Sequence, residues 1–330
     1  MSAGSIRALR PMALAAAAAA LLLTGCATTP GGSTEAPGSE SMTISVGVIP
    51  VAEFAPIFIA QDEGYFADEG LIVETQIIQN AASIAPSVIN GQLQFGTAAA
   101  APFLSAVSQS LPLTAVANGS SVSADAATDP SAILVMPDRG IERPADLVGT
   151  TVGVNALGSI SHVTAAADVD LDGGDHTAVT FVAMPFPDMI AALERGTIDA
   201  AVVVEPFQVQ GVEAGAVVLS HPSSDTLVPG TFTVLFTSQQ YAAEHPDVVE
   251  RFQRAVDKAS LAAAEDPTLV ATVLEEHFSF DPALFEQMRI PTYSAELSTE
   301  ALQHLADLMV ELGFMENSIV ASDVVWAGRS

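Results

Sequence analysis

The chain has 330 residues, 49% of them hydrophobic, with one cysteine and 39 acidic against 10 basic side chains, a formal charge of −29. That length suits two lobes of about 100–150 residues each, and the apolar share is enough to fill their cores, which excludes a disordered chain. A surface this acidic repels nucleic acid and anionic lipid headgroups, which excludes a nucleic-acid role; as a net charge it bears on solubility more than on any one cleft.

The first element in chain order is a leader. Arg7 and Arg10 are the only charges before Cys26, and the apolar run MALAAAAAALLL (12–23) between them and Leu23-Thr24-Gly25-Cys26 is 12 residues long. That is short of the roughly 20 residues a spanning helix needs. A charged start, a short apolar run, small residues and a cysteine together predict a bacterial lipoprotein signal over residues 1–25, cleaved before Cys26, whose thiol takes the lipid. The mature protein then has 8 basic residues against 39 acidic ones, hence a charge of −31, and keeps no other cysteine for a disulfide. Residues 26–42, with ATTPGGSTEAPGSES at 27–41, read as a flexible tether that holds the body off the membrane.

Structure is expected from Thr43 onward. Strand-like apolar runs fall at 44–50, 71–78, 113–118, 132–137, 151–155, 178–184, 198–204, 216–220 and 232–237. Helical stretches lie between them at 56–63, 82–90, 99–109, 159–168, 187–195 and 205–213. Alternating strand and helix with short loops predicts α/β lobes built on parallel sheets. From Ser238 the pattern turns helical, over 238–245, 247–265, 267–277, 282–288 and 298–312, with Asp247, Asp266, Asp281 and Ser298 read as helix starts. Gly64 and Gly196 sit where a helix must end in a left-handed turn, so they read as builders of the fold.

Patterning fades at Ser120–Pro130 and at His221–Gly230. The stretch between is long enough for its own lobe. The expected organisation is therefore one lobe from 43–125 and 228–330, a second from 126–227, and two crossings that act as hinges around a ligand cleft.

Four segments in this order carry a resemblance: GVIPVAEFAPIFIAQDEGYFADEGLIVE (47–74), INGQLQFGTAAAAPFL (89–104), ADLVGTTVGVNALGS (145–159) and MPFPDMIAALERGTIDAAVVVEPF (184–207). Behind the lipoprotein signal they resemble the substrate-binding proteins of ABC importers, in the SsuA/THI5-like or NMT1-like branch, over essentially all of 43–315. The resemblance implies a type II periplasmic-binding-protein fold, two α/β lobes around a cleft, and delivery of a small organic solute to a membrane permease. It implies solutes of the nitrate, sulfonate, taurine or thiamine-pyrimidine-precursor type.

Ligands of open α/β sheets bind beyond the carboxyl ends of strands. That rule selects Glu53 and Phe54 after the first strand, Ala81-Ala82-Ser83 at a helix start, Thr97 and Ala98 after the Phe-Gly turn, Asn155 with Gly158 and Ser159, and Glu205 with Phe207 after 198–204. Matching positions line the cleft in the family, which the resemblance adds. Ser83 and Ser159 offer helix N-termini to a polar head, although ordinary capping serves each equally well. Glu53 and Glu205 read as carboxylates for an amine or amidine-like group, with Glu205 expected to carry more of the affinity. Phe54, Phe186 and Phe207 suit a planar solute or simple core packing. No arginine or lysine falls at these places, which tilts the expectation toward an amine-bearing or neutral solute.

Other chemistry finds little purchase. DVDLDGG (168–174) starts like a calcium loop, but its twelfth position is Val179. The six histidines show no metal spacing, and no nucleophile elbow or phosphate loop occurs. No metal, cofactor or catalytic residue is expected. The expected partners are the solute, the permease subunits and the membrane through a lipid anchor, for a monomeric protein. Two alternatives stay open: an enzyme like the pyrimidine-precursor synthases, whose cysteine-rich motif the mature chain lacks, and a sensory or adhesive lipoprotein on the same fold.

Overall fold

The structure, a computed structural model, describes residues 41–78, 83–123 and 125–328. The signal segment, Cys26, most of the tether and the Ala81-Ala82 pair lie outside the described residues. Among the described residues no helix is long and apolar enough to cross a membrane.

The apolar alternation after the tether becomes β1 (Met42–Val48), followed by α1 (Ala55–Asp62), the short α2 (Tyr65–Asp68) and β2 (Leu71–Ile77). Then come α3 (Ile84–Ile89), β3 (Phe95–Ala99), α4 (Ala100–Ser108) and β4 (Leu113–Val122). The chain crosses to β5 (Ser131–Val135), β6 (Thr151–Val154), α5 (Ile160–Leu171), β7 (Thr180–Ala183), α6 (Phe186–Arg195), β8 (Ala200–Val204), α7 (Phe207–Glu213) and β9 (Val217–Ser220). It returns through α8 (Pro222–Thr226) into β10 (Gly230–Ser238) and ends in α9 (Gln239–Glu244), α10 (Pro246–Glu265), α11 (Thr268–Phe278) and α12 (Thr299–Glu311).

Two five-stranded sheets result, with strand orders β2-β1-β3-β10-β4 and β7-β6-β8-β5-β9. The first draws on 42–122 and 230–238, the second on 131–220. Neither is wholly parallel, which corrects the expectation. β10 runs antiparallel to β3 and β4, and β5 antiparallel to β8 and β9. The reason is the crossings. A strand that has just come over from the other sheet enters at the end where its neighbours finish, so it runs against them.

Helices cover both faces of each sheet. One face of the first sheet packs on α1, α10 and α11, where the Phe252 ring stacks on Phe95 at 3.9 Å and on Phe66 at 5.5 Å. The other packs on α3, α4 and α12. The second sheet holds α5 on one face and α6 on the other. Ile160 and Val163 of α5 bury into the α4–β10–α12 cluster, so the two sheets' surroundings are packed together.

Local signals explain the element ends. Gly64 (φ 74°) and Gly196 (φ 69°) take the left-handed turns that follow α1 and α6. Ser298 caps α12 by accepting from the Ala301 N–H at 3.2 Å, and Asp281 caps the 3-10 turn Pro282–Gln287. Asp247 is a correction: α10 starts at Pro246, whose missing N–H costs nothing at the first position, and Asp247 instead pairs with Arg251 one turn on at 3.2 Å. The strand β3 is an addition. FGTAA carries little β-branched signal, yet Gly96 must be there because a Cβ would run into Ile84 and Phe236 side chains.

Candidate functional site

The carboxyl ends of β1, β3, β6 and β8 and the first residues of β10 face one another across the space between the sheets. A cavity of about 450 Å³ lies there, lined from the first side by Ile49, Thr97, Ala98, Ala99, Phe103 and Phe236, among others, and from the second by 155–159. A smaller chamber of about 50 Å³ adjoins it, sharing Ile49, Ala99 and Asn155 and adding Glu53, Phe54, Ser161, Phe186 and Thr233. A groove of about 510 Å³ beside α9 and the Asp323–Gly328 segment is larger, but it lies on the first side alone and opens to solvent. Volume by itself does not pick out the site.

Of the expected site residues, Glu53 and Phe54 line the small chamber, while Thr97, Ala98, Gly158 and Ser159 line the large one and Asn155 lines both. Thr97 is tied into the wall, donating to the Gly47 carbonyl at 3.2 Å and accepting from the Ile49 N–H at 3.3 Å. Ser159 caps α5, its hydroxyl accepting from the His162 N–H at 3.3 Å. Ser83 is exposed and is not among the residues lining either space. Phe207 stacks on Phe186 at 5.2 Å, and only Phe186 reaches the chamber.

The two carboxylates differ. Glu205 is fully buried, and each oxygen has a backbone donor: Val209 N–H to Oε2 at 3.2 Å and Arg289 N–H to Oε1 at 3.0 Å. Burial pushes its pKa up to about 7, against those two donors, which pull it down. It joins a knot of bonds at the crossings. Asp129 accepts from Ser131 and from the Ser224 N–H at 2.7 Å, the His221 ring meets the Ser131 carbonyl, and Arg289 meets both His221 and the Ala126 carbonyl. The expectation that Glu205 outweighs Glu53 as a ligand is not carried by this geometry.

Glu53 is 1% exposed, and neither of its carboxyl oxygens has a partner. Burial is the main cause that raises its pKa to about 8; its own backbone N–H, the next cause, pulls it down, and the negative fields of Glu205 and Asp129 add smaller rises. Asn155 Oδ1, across the chamber, is likewise buried without a partner. The Tyr293 hydroxyl beside this turn is engaged elsewhere, donating to the Ala52 carbonyl at 2.7 Å. Among the described residues, no arginine, lysine or histidine lines either space.

The sequence reading missed the contributions of α4 and β10. Phe103 and Ser105 look like an ordinary apolar helix in sequence, and Phe232, Thr233 and Phe236 reach the cleft only because β10 re-enters between β3 and β4. The rejected calcium segment behaves as a helix end: Asp168 takes the Ser220 hydroxyl, Asp170 the His176 ring, and Asp172 the Arg143 guanidinium. Among the described residues, Asp62, Glu276 and His277 group their donor atoms at the α1–α11 junction, away from the cavity lining.

Comparison with known proteins gives a consistent picture. A profile of the family described as NMT1/THI5 like matches residues 51–269. The taurine-binding periplasmic protein of Escherichia coli K12 is 26% identical over 229 residues, 69% of each chain. The 4-amino-5-hydroxymethyl-2-methylpyrimidine phosphate synthase of Schizosaccharomyces pombe is 26% identical over 226 residues, 64% of this chain and 62% of that one. The alkanesulfonate-binding protein SsuA of Xanthomonas axonopodis pv. citri, solved with MOPS bound, superposes with a TM-score of 0.74 at 18% identity, over 88% of this chain and 99% of its own. The fold is that of periplasmic binding proteins.

Proposed function

Because the chain belongs to the NMT1/THI5-like family, we propose that it is the solute receptor of an ABC importer. It works outside the cytoplasmic membrane, captures one small organic molecule between two lobes, and presents it to the permease. The observation that carries this reading is the cleft: walls from two separate sheets enclose about 450 Å³ of mainly apolar space with few polar groups, which is the build of a small-molecule site. The names of the taurine-binding and alkanesulfonate-binding relatives support the same role.

In this reading residues 43–125 with 228–330 form one lobe, 126–227 the other, and the segments near 121–131 and 222–232 are the hinges. Solute binds the closed arrangement more tightly than the open one, and that difference drives closure. Cys26, outside the described residues, anchors the protein by lipid, and the chain acts as a monomer. The Schizosaccharomyces pombe relative favours a second reading, a synthase. Against it, the sequence holds a single cysteine, at the predicted lipid site, where the synthase motif needs several.

A thermal-shift screen tests the main reading. Purified protein is heated with taurine, alkanesulfonates, nitrate, amines or pyrimidines. A ligand at a hundred times its Kd adds about 2.7 kcal/mol, which raises Tm by roughly 3–5 °C for a protein of this size. No shift with any class, together with formation of a pyrimidine product by the protein alone, turns the assignment to the synthase. The anchor is tested separately: Cys26→Ser is expected to abolish labelling by a clickable palmitate, and equal label on both proteins refutes lipidation.

A further inference from the structure

The cavity's chemistry runs against that of the oxyanion-binding relatives. A sulfonate or nitrate presents acceptor oxygens and a negative charge, so its site must supply donors. Hydroxyls of Ser161 and Thr233 line the chamber, but the buried groups left without partners there are the reverse. Glu53 Oε1, Glu53 Oε2 and Asn155 Oδ1 are buried acceptors without partners, and they come from opposite sides of one cleft. The carboxyl group has two equivalent oxygens, so the Glu53 half of this does not depend on which way an amide is turned. Among the described residues, no cationic side chain lines either space. A buried acceptor left unmade is costly, and it is met most strongly by a charged N–H donor. Beside the chamber, Ile49, Phe54, Phe186 and Phe232 form an apolar wall.

We propose that the solute has a cationic nitrogen head, an ammonium or amidinium group, held by Glu53 with Asn155 opposite, and a short apolar body that extends into the larger cavity. This rests on the receptor reading above and names the solute class of that same cleft. Glu53 is the specificity-determining residue. Glu205, bonded on both oxygens at the crossings, takes no part in ligand contact.

A proton follows from the same geometry. The acidic groups that face Glu53 are Glu205 and Asp129, and the nearby phenol is Tyr293. With burial the main cause, the Glu53 carboxyl is pushed up to about 8. A cation needs the carboxylate, so it binds with release of the Glu53 proton. Its affinity therefore rises with pH by up to about tenfold per unit below pH 8. An oxyanion has the opposite sign, because it favours the protonated acid.

The experiment is calorimetric titration of full-length mature protein with butylammonium, butanamidinium and butanesulfonate, which share a body and differ in the head. Wild type, Glu53→Gln and Asn155→Asp are compared at three pH values below 8. Saturable binding of a cationic probe is expected, with no binding of the sulfonate. Glu53→Gln is expected to weaken the cation by about ten- to a hundredfold and to abolish the Glu53 part of the pH slope, leaving only what Glu205 contributes. Asn155→Asp is expected to strengthen the cation at least severalfold, which decides the matter even if Glu53→Gln folds poorly. Tighter binding of butanesulfonate than of either cation overturns the inference and leaves the receptor reading standing. So does cation affinity that neither variant changes. Binding of no probe, with no shift from any solute class in the screen, removes the receptor reading and this inference with it.

Discussion

Glu53 and Glu205 are the same residue type in almost the same burial, and the fold treats their lone pairs differently. Each follows the end of a strand near the middle of its sheet. Each is at most 1% exposed, and burial raises both, to about 8 and about 7. At the crossing, two backbone N–H groups, from Val209 and Arg289, occupy both oxygens of Glu205. At the cleft wall, nothing occupies those of Glu53. A buried acid is thus no site by virtue of burial or a raised pKa alone. What distinguishes the two is whether the fold itself has used the lone pairs.

The largest expected effect breaks the Glu205 half of that contrast. Glu205→Ala leaves two buried backbone donors without acceptors, at about 1–3 kcal/mol each. Denaturant unfolding should show a loss of roughly 2–6 kcal/mol. Glu53→Met should show the opposite sign, a neutral to favourable change of up to about 2 kcal/mol, because it removes an unpaired buried acid from an apolar wall. Equal destabilisation by both substitutions would mean that Glu53 is structural too.

The next effect is in pH. The folded-state pKa of Glu53 lies above the ordinary value, so the folded protein holds that proton more tightly than the unfolded chain does. The stability this adds is fully present below about pH 4.5 and is lost as pH rises through about 8, at roughly 1.4 kcal/mol per unit within that window. Melting temperature against pH, wild type minus Glu53→Gln, should fall across that window. A flat difference would place Glu53 in contact with water in the folded protein. For Glu205 the same subtraction should stop nearer pH 7.

How much of this was legible in the sequence follows from what each feature depends on. The alternating runs that became β1, β2 and β4 to β10 carry their own signal, since burial against helices demands apolar side chains at strand spacing. β3 does not, because its five small residues are selected by crowding from Ile84 and Phe236, which only the fold brings near. The strand-end rule, a rule of topology, selects Thr97, Asn155 and Ser159, and all three stand at the cavity wall. The ranking of Glu53 below Glu205 came from the same rule, and it had no access to the bond from Arg289, which lies 84 residues further along the chain. The mixed direction of both sheets was equally out of reach, because patterning marks a strand and not its sense.

The smallest expected effect lies at the rim of the cleft and has the opposite pH sign to Glu53. Phe314, just after α12, packs edge-on against the His162 ring of α5 at 4.7 Å, and that ring lies 4.2 Å from Phe181. His162 Nδ1 accepts from the Gly158 N–H at 3.0 Å, so the ring must be unprotonated on that nitrogen to hold the loop that lines the cavity. Burial, with the neighbouring His176, lowers its pKa to about 4. On the elements packed against it the other titratable groups are Asp175 beside His176, Asp170 bonded to His176, and Glu311 and Glu316 flanking Phe314. A depressed histidine contributes stability that is present above about pH 6.5 and is lost as pH falls through about 4. Phe314→Ala removes an aromatic contact of about 0.5–1.5 kcal/mol that spans the two sides, so solute affinity should drop roughly two- to tenfold. The denaturant midpoint should move little if each side keeps its own core. Affinity that stays constant in Phe314→Ala, with a lowered midpoint instead, would show that this contact holds the fold and not the closed cleft. Falling pH should remove the His162 contribution and rising pH the Glu53 one, so without solute the two offset each other in stability between about pH 4.5 and 6.5.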